Sequence, residues 1–344
     1  MGLEEIGHSL LLKLPSETAH EIGKWAMKRR ICAPGKFHTF ESETELFGVK
    51  LDNPFGLAAG FDKYAELQDV VSDYGFGWIE EGSFTYLGGS GNKKPRLFRI
   101  FDSGSLLNRM GLNCISAFEA SVRLRKAENK FSFAVSVAKS NRDEIVGDAA
   151  IEDIVMSYNE LKNLGIYTAI NVSCVNTKDG KTFEEPGSFR ELVSALKSAG
   201  KGRPLVYKFS PKLEREKLEN LVEISYESAD GYELVNTLSF EHEPYGKGGL
   251  SGPEIRARAL TSVGMLRELT NKTILGVGGI STGRDSYFMK QAGAGAFLVF
   301  TGFVFRHRQN PYAGPRFAHK INKEHLELIN NDVWEGIVKD INFY

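Results

Sequence analysis

The chain has 344 residues, enough for one large domain or two ordinary ones and ample for a core that needs no covalent staples. Lys and Arg number 43 against 44 Asp and Glu, a formal net charge of -1, which excludes a broad electrostatic pull toward nucleic acid or an anionic membrane. Cys32, Cys114 and Cys174 are far apart and form no CxxC pair or Cys/His cluster of metal-ligand spacing, so a reducing compartment and no metal site are expected.

Residues 1–35 read as a helical extension of two short helices. Ile6, Leu10 and Leu14 share one face, Pro15 and Ser16 interrupt the chain, and Ala19, Ile22, Trp25 and Ala26 form a second apolar face. Glu4 and Glu5 stand where a signal peptide would be basic, and nothing further on approaches a membrane span. A mature, cytoplasmic chain is the expectation. Lys24, Lys28, Arg29 and Arg30 make a basic cluster suited to anionic headgroups.

From Phe55 onward, eight short apolar runs alternate with segments of helical spacing. The runs are FGLAA at Phe55, WIEEG at Trp78, FAVSVA at Phe133, TAINV at Thr168, LVYKF at Leu205, YELVN at Tyr232, ILGVG at Ile274 and FLVF at Phe297. Helices are expected over 65–74, 151–164, 215–228, 256–269 and 281–292, with Gly75, Gly165 and Gly293 as C-terminal stops. Eight β/α units in roughly 290 residues predict a closed (β/α)8 TIM barrel over residues 36–344. An open doubly wound sheet would show fewer strands and a GxGxxG turn after the first; the nearest such turn, GVGG at Gly276, falls in the seventh unit. Residues 85–111 stand outside the repeat and are expected to form a hairpin or long loop over the barrel mouth.

In such a barrel, chemistry sits at the carboxyl ends of the strands. Those ends carry Ala59-Gly60 with Lys63 beyond, Gly82-Ser83, Asn171 with Cys174 and Asn176, Lys208, Asn236-Thr237, Gly278-Gly279 and Thr301-Gly302. Glycines after the last two strands suit a phosphate held on backbone N–H groups, although tight turns use the same residues. Either lysine alone could be a solvated rim residue, but Lys208 interrupts an apolar run and needs a buried partner. Asn108, Asn113, Asn171, Asn176 and Asn236 offer uncharged donors and acceptors that fit a ring of alternating C=O and N–H groups, where a single asparagine would more often make a turn. A lone cysteine is ordinarily a buried inert thiol. Cys174, on a loop between two amides in NVSCVNT, also suits a base that takes a carbon-bound proton.

The strings NPFGLAAGFDK at Asn53, GFGWIEEGSFT at Gly75, GNKKPRLFRI at Gly91, LLNRMGLN at Leu106, INVSCVNT at Ile170, VYKFSPKL at Val206, GGLSGPEIR at Gly248 and GVGGISTG at Gly276 together resemble the dihydroorotate dehydrogenase family. The resemblance covers the whole barrel and is nearest to class 2, the membrane-associated, quinone-reducing branch, whose helical extension LLLKLPSETAHEIGKWAMK resembles. It implies oxidation of dihydroorotate to orotate with FMN, a quinone as acceptor, and peripheral membrane contact through the N-terminal helices on the cytoplasmic side. FMN contacts implied by the resemblance are Ala59, Gly60, Lys63, Ser83, Asn171, Lys208, Gly252, Gly279, Phe300 and Thr301. Implied substrate contacts are Lys63, Asn108, Arg109, Met110, Gly111, Leu112, Asn171, Asn176, Asn236 and Thr237. In the family a base takes the C5 proton of dihydroorotate while hydride leaves C6 for the flavin, and by position that base is Cys174.

The chain departs from class 2 within the same motifs. Class 2 members carry serine at the base position, whereas soluble class 1 members carry cysteine. Val175 replaces a proline, Ser136 an asparagine and Val235 a threonine, and KDGKTF alters the rest of the base loop. These changes leave open a diverged FMN oxidoreductase acting on another cyclic amide or enone. A flavin barrel acting on tRNA would need a basic face, which the near-zero charge lacks. A noncatalytic flavin-binding scaffold would leave the retained lysines and asparagines without purpose.

Overall fold

A computed structural model describes residues 3–173, 182–304 and 314–330. Eight parallel strands, Phe55–Leu57, Trp78–Phe84, Phe133–Val137, Thr168–Asn171, Leu205–Phe209, Gly231–Leu234, Thr273–Val277 and Ala296–Val299, close into a barrel in chain order. The eighth strand closes on the first by pairing Phe297 with Phe55. Each strand falls on one of the eight apolar runs, and the (β/α)8 barrel expected from them is the fold.

The runs are continuously apolar because both faces are covered. Inside the barrel, Trp78 and Tyr167 pack with the small residues Ala134, Ala169 and Ala296. Outside it, a larger cluster joins the strands to helices that include Asp148–Leu161, Pro186–Ser198, Arg215–Ser225, Arg256–Leu269 and Gly283–Gln291. Gly56 leaves room for the indole, since a Cβ there would sit 2.4 Å from the Trp78 ring. The expected helix over 65–74 does not form. The Asp62 carboxylate takes the backbone N–H groups of Tyr64, Glu66 and Leu67 at 3.1, 2.5 and 2.8 Å, and Ala65 adopts φ 52. Only the last turn survives, as a 3-10 helix Val71–Tyr74 stopped by Gly75 at φ 87.

The 85–111 insertion contains the expected hairpin, Leu97–Ile100 and Ser105–Asn108. It belongs to a four-stranded antiparallel sheet with a second hairpin, Leu238–His242 and Gly246–Ser251, that the sequence reading left unassigned. At the opposite end, the hairpin Thr44–Leu46 and Val49–Leu51 places Leu46 and Leu51 in the interior cluster and Phe47 edge-on to Tyr167 at 5.5 Å.

Helix α1 (Leu3–Leu11) and helix α2 (Ser16–Lys28) form the expected N-terminal pair. Charged groups dock them. Lys24 is buried against Asp62 at 3.4 Å and Glu66 at 3.1 Å, and Glu17 meets Arg96 at 2.8 Å. Arg99 donates to the Leu14 carbonyl, to the Leu11 carbonyl at 3.4 Å and to Ser16 Oγ at 3.2 Å, capping the end of α1. This corrects the basic cluster: Lys24 faces the barrel, Lys28 pairs with Glu66 at 2.9 Å, and Arg30 pairs with Asp73 at 2.7 Å. Among the described residues no helix is long and apolar enough to cross a membrane.

Candidate active site

The carboxyl ends of the strands, the four-stranded sheet and α2 enclose about 1520 Å3 of space, part of it open to solvent. Its wall includes Ala59, Gly60, Lys63, Ser83, Asn108, Met110, Gly111, Leu112, Asn171, Lys208, Asn236, Thr237, Gly252, Gly279, Phe300 and Thr301, so nearly every residue singled out from the sequence converges on one cavity. Arg109 faces elsewhere. Its guanidinium donates to the Tyr245 carbonyl at 2.6 Å and lies over the Phe98 ring at 4.7 Å, tying the two hairpins together. Cys174 and Asn176 lie outside the described residues.

The floor is a hydrogen-bonded polar layer set by strand register. Parallel pairing puts Asn171 beside Lys208 and Lys208 beside Glu233. Asn236 Nδ2 donates to Asn171 Oδ1 at 3.0 Å and to Ser173 Oγ at 2.9 Å, and Asn171 Nδ2 donates to Ser83 Oγ at 3.1 Å. Ser83 and Ser136 share a hydrogen bond at 2.8 Å, so the serine at 136 completes this network. The buried Ser173 donates to the Lys208 carbonyl at 3.1 Å, and Phe183 N donates to the Val172 carbonyl at 2.8 Å. Both flanks of 174–181 are therefore held at the floor.

Lys208 has the partners its position demanded. Its ammonium contacts Glu233 and lies 3.5 Å from Glu80 Oε1, and Tyr167 donates to Glu80 Oε2 at 2.8 Å. Burial lowers the Lys208 pKa, but Glu233 and Glu80 outweigh it and hold the ammonium charged. Burial and then Glu80 push Glu233 up to about 8. Sequence reasoning missed both glutamates, although each breaks an apolar run as Lys208 does: WIEEG and YELVN. Glu81 faces the other side of its strand, where burial and then Asp62 push its carboxyl well up.

At the wall, Lys63 donates to Asn113 Oδ1 at 2.9 Å, presenting a cation beside an amide. A Cβ on Gly60, at φ 93, would stand 3.6 Å from the Phe300 ring and 3.9 Å from the Lys63 stem, inside the cavity. Small backbone here, two cations and a layer of amides and hydroxyls fit a flat heteroaromatic group carrying a phosphate. Among the described residues no His/Cys/Asp/Glu group could hold a metal ion.

A second cavity of about 1310 Å3, again partly open, lies between the helix pair and the barrel. Leu11, Ala19, Met27, Phe303 and other apolar side chains line it, and His20, Phe61, Leu97, Leu106 and Phe300 line both cavities. Burial, then Lys63 and Lys24, lower the His20 pKa to about 3, so the ring is neutral and its Nε2–H donates to the Phe61 carbonyl at 2.9 Å. Two of the shared residues, Leu97 and Leu106, come from the 85–111 hairpin that was expected over the barrel mouth.

Residues 41–328 match a family model described as dihydroorotate dehydrogenase. A dihydroorotate dehydrogenase (quinone) of Halobacterium salinarum is 32% identical over 345 residues, covering 96% of each chain. One from Myxococcus xanthus is 33% identical, over 96% of this chain and 94% of its own, and one from Thermus thermophilus 33% identical, over 91% and 93%. The crystal structure of DHODH from Eimeria tenella in complex with ferulenol superposes with a TM-score of 0.84 at 27% identity, covering 94% of this chain and 96% of the other.

Proposed function

This chain belongs to the dihydroorotate dehydrogenase family, and on that premise we propose that it oxidises dihydroorotate to orotate in the mouth cavity, with FMN as cofactor, Cys174 as base and a quinone as acceptor. The observation that carries this reading is the convergence of Lys63, Lys208, Asn171 and Asn236 on one cavity. FMN, when bound, supplies the hydride acceptor and passes the electrons on. The protein's own residues bind, orient and deprotonate.

Ala59, Gly60, Ser83, Lys208, Gly252, Gly279, Phe300 and Thr301 would hold the cofactor, with Gly279 and its neighbours offering backbone N–H groups to the phosphate. Asn108, Asn171, Asn236 and Thr237 would hold the substrate ring, because an amide can face C=O or N–H without charge. Lys63 would meet the substrate carboxylate. Cys174 would take the C5 proton. Its reference pKa of about 8.5 makes the thiolate far more accessible than an alkoxide from serine. The described residues flanking 174–181 are fixed to the floor by Ser173 and by the Val172 to Phe183 hydrogen bond.

The apolar second cavity suits the ring and tail of a quinone, and the five residues shared between the cavities would separate it from the flavin by a single layer of side chains. Leu10, Leu14, Ile22 and Trp25 are exposed on the helix pair, and Arg29 lies over the Trp25 ring at 4.3 Å. Such a surface fits peripheral contact with the membrane that holds the quinone.

Anaerobic mixing of the purified, flavin-containing protein with a panel of cyclic amides and enones tests the substrate. Dihydroorotate should bleach the flavin and the others should not; bleaching by another member alone would move the assignment to the diverged oxidoreductase. Removing residues 1–35 should abolish quinone reduction, and a truncated protein that reduces quinone as well as the full chain would remove their role.

A further inference from the structure

Glu80 and Glu233 are 0% exposed, inside the barrel and under the cavity floor, and the chemistry described so far uses neither. One ammonium serves both. Two ionised carboxylates with Lys208 would leave an uncompensated negative charge in an interior of alanine, leucine and aromatic side chains, the costliest arrangement available there. The partners differ. Lys208 lies against Glu233 and 3.5 Å from Glu80, and Glu80 also accepts from Tyr167 at 2.8 Å. The remaining barrel strands, Phe55–Leu57, Phe133–Val137, Thr273–Val277 and Ala296–Val299, contain no titratable residue, so Glu80, Glu233, Lys208 and Tyr167 are the groups that face one another.

We propose that Glu80 and Glu233 share one proton beneath Lys208, and that this proton sets the charge Lys208 presents to the ring bound in the mouth cavity. Lys208 faces both carboxyls, and Tyr167 donates to Glu80. The cluster is then neutral while the proton stays and carries one negative charge once it leaves. Burial and Glu80 place that loss at about 8. Two carboxyls this close titrate as a pair. Glu233 acts through Lys208 and is a positioning residue.

The inference rests on the flavin reading of the cavity. An added negative charge under the ring opposes its reduction, so the potential of the bound flavin should fall more steeply as the pH rises past the loss of the proton. Redox titration of the holoenzyme at about pH 6.5 and about pH 9.5 compares wild type with Glu233→Gln, whose amide carries no removable proton. At the lower pH the two potentials should agree. At the higher pH the variant should be more positive by at least a tenfold shift in the reduction equilibrium, about 30 mV for a two-electron couple. Equal shifts at both pH values would mark a structural perturbation and overturn the proposal, as would no shift at either.

Infrared spectra of the wild-type protein give a second measurement that needs no flavin and no Glu233 variant. The carbonyl stretch of one protonated carboxyl should disappear over the same pH interval, and should not do so in Glu80→Gln, where the remaining carboxylate is ionised throughout as the partner of Lys208. A wild-type spectrum without that loss overturns the shared proton. A protein that shows the loss but binds no flavin overturns the function reading instead.

Discussion

The floor and the helical wall of the mouth cavity are built by opposite means. The floor is made of strand ends, so Asn171, Lys208 and Glu233 are aligned by backbone register and buried in one polar layer. The wall is α2, an amphipathic helix joined to the barrel by Glu17–Arg96, Lys24–Asp62 and Lys28–Glu66. A floor residue cannot shift without its strand, whereas the wall is fastened by side chains alone. Chemistry that needs fixed atoms belongs on the floor, and a ligand that enters from the side belongs against the wall.

The largest expected effect is at the proposed base, whose flanking residues the floor holds. Cys174→Ala should slow flavin bleaching by dihydroorotate about 10²–10⁴-fold in stopped flow, the usual range for losing a positioned base, while FMN remains bound. An unchanged rate would make the thiol a bystander. Next comes the buried ion cluster. Lys208→Met leaves Glu80 and Glu233 without their cation and should lower stability by about 3–5 kcal/mol in urea denaturation, together with flavin loss. A variant of wild-type stability would mean the cluster is not buried as described.

Gly56→Ala pushes a Cβ against Trp78, at 2.4 Å before any relaxation, and should cost about 1–3 kcal/mol by thermal melting. The wall should show the smallest effect. Glu17 and Glu66 are each pushed up by burial but pulled further down by their basic partners, Arg96 and Lys94 for Glu17 and Lys28 and Lys24 for Glu66. A depressed carboxyl stabilises above its unfolded value and loses that contribution as the pH falls through its folded one. Hydrogen-exchange protection across residues 16–28, taken relative to the intrinsic rate at each pH, should therefore fall below about pH 4.5, by about 0.2–1 kcal/mol for each pair after solvent screening. Protection that stays level there would show that packing, not charge, holds α2.

The same contrast explains what the sequence made legible. All eight barrel strands could be read from it, because a strand covered on both faces must be continuously apolar, and polar residues at the run ends then fall at the mouth by topology. Lys208 was legible as a residue in need of a partner, but its partners were not, since Glu80 lies 128 residues away on a strand that only closure brings across, and Glu233 meets Lys208 only through the register of the next strand. The 65–74 segment misled because its apolar spacing is helical while Asp62 captures the N–H groups the helix would use. The hairpin Leu238–Ser251 left no periodic signal: its glycines and charges edge a sheet that exists only beside Ser105–Asn108. The burial of Lys24 was hidden for a similar reason, as its acid partners belong to the barrel.

A sequential pair of half-reactions in one anaerobic sample tests the whole account most directly. One equivalent of dihydroorotate should bleach the flavin and yield one orotate, and one equivalent of a soluble quinone should then restore the colour. A flavin that stays oxidised with dihydroorotate, and releases no orotate, would contradict the floor's assigned chemistry; one that bleaches but is not recoloured by quinone would contradict the wall's.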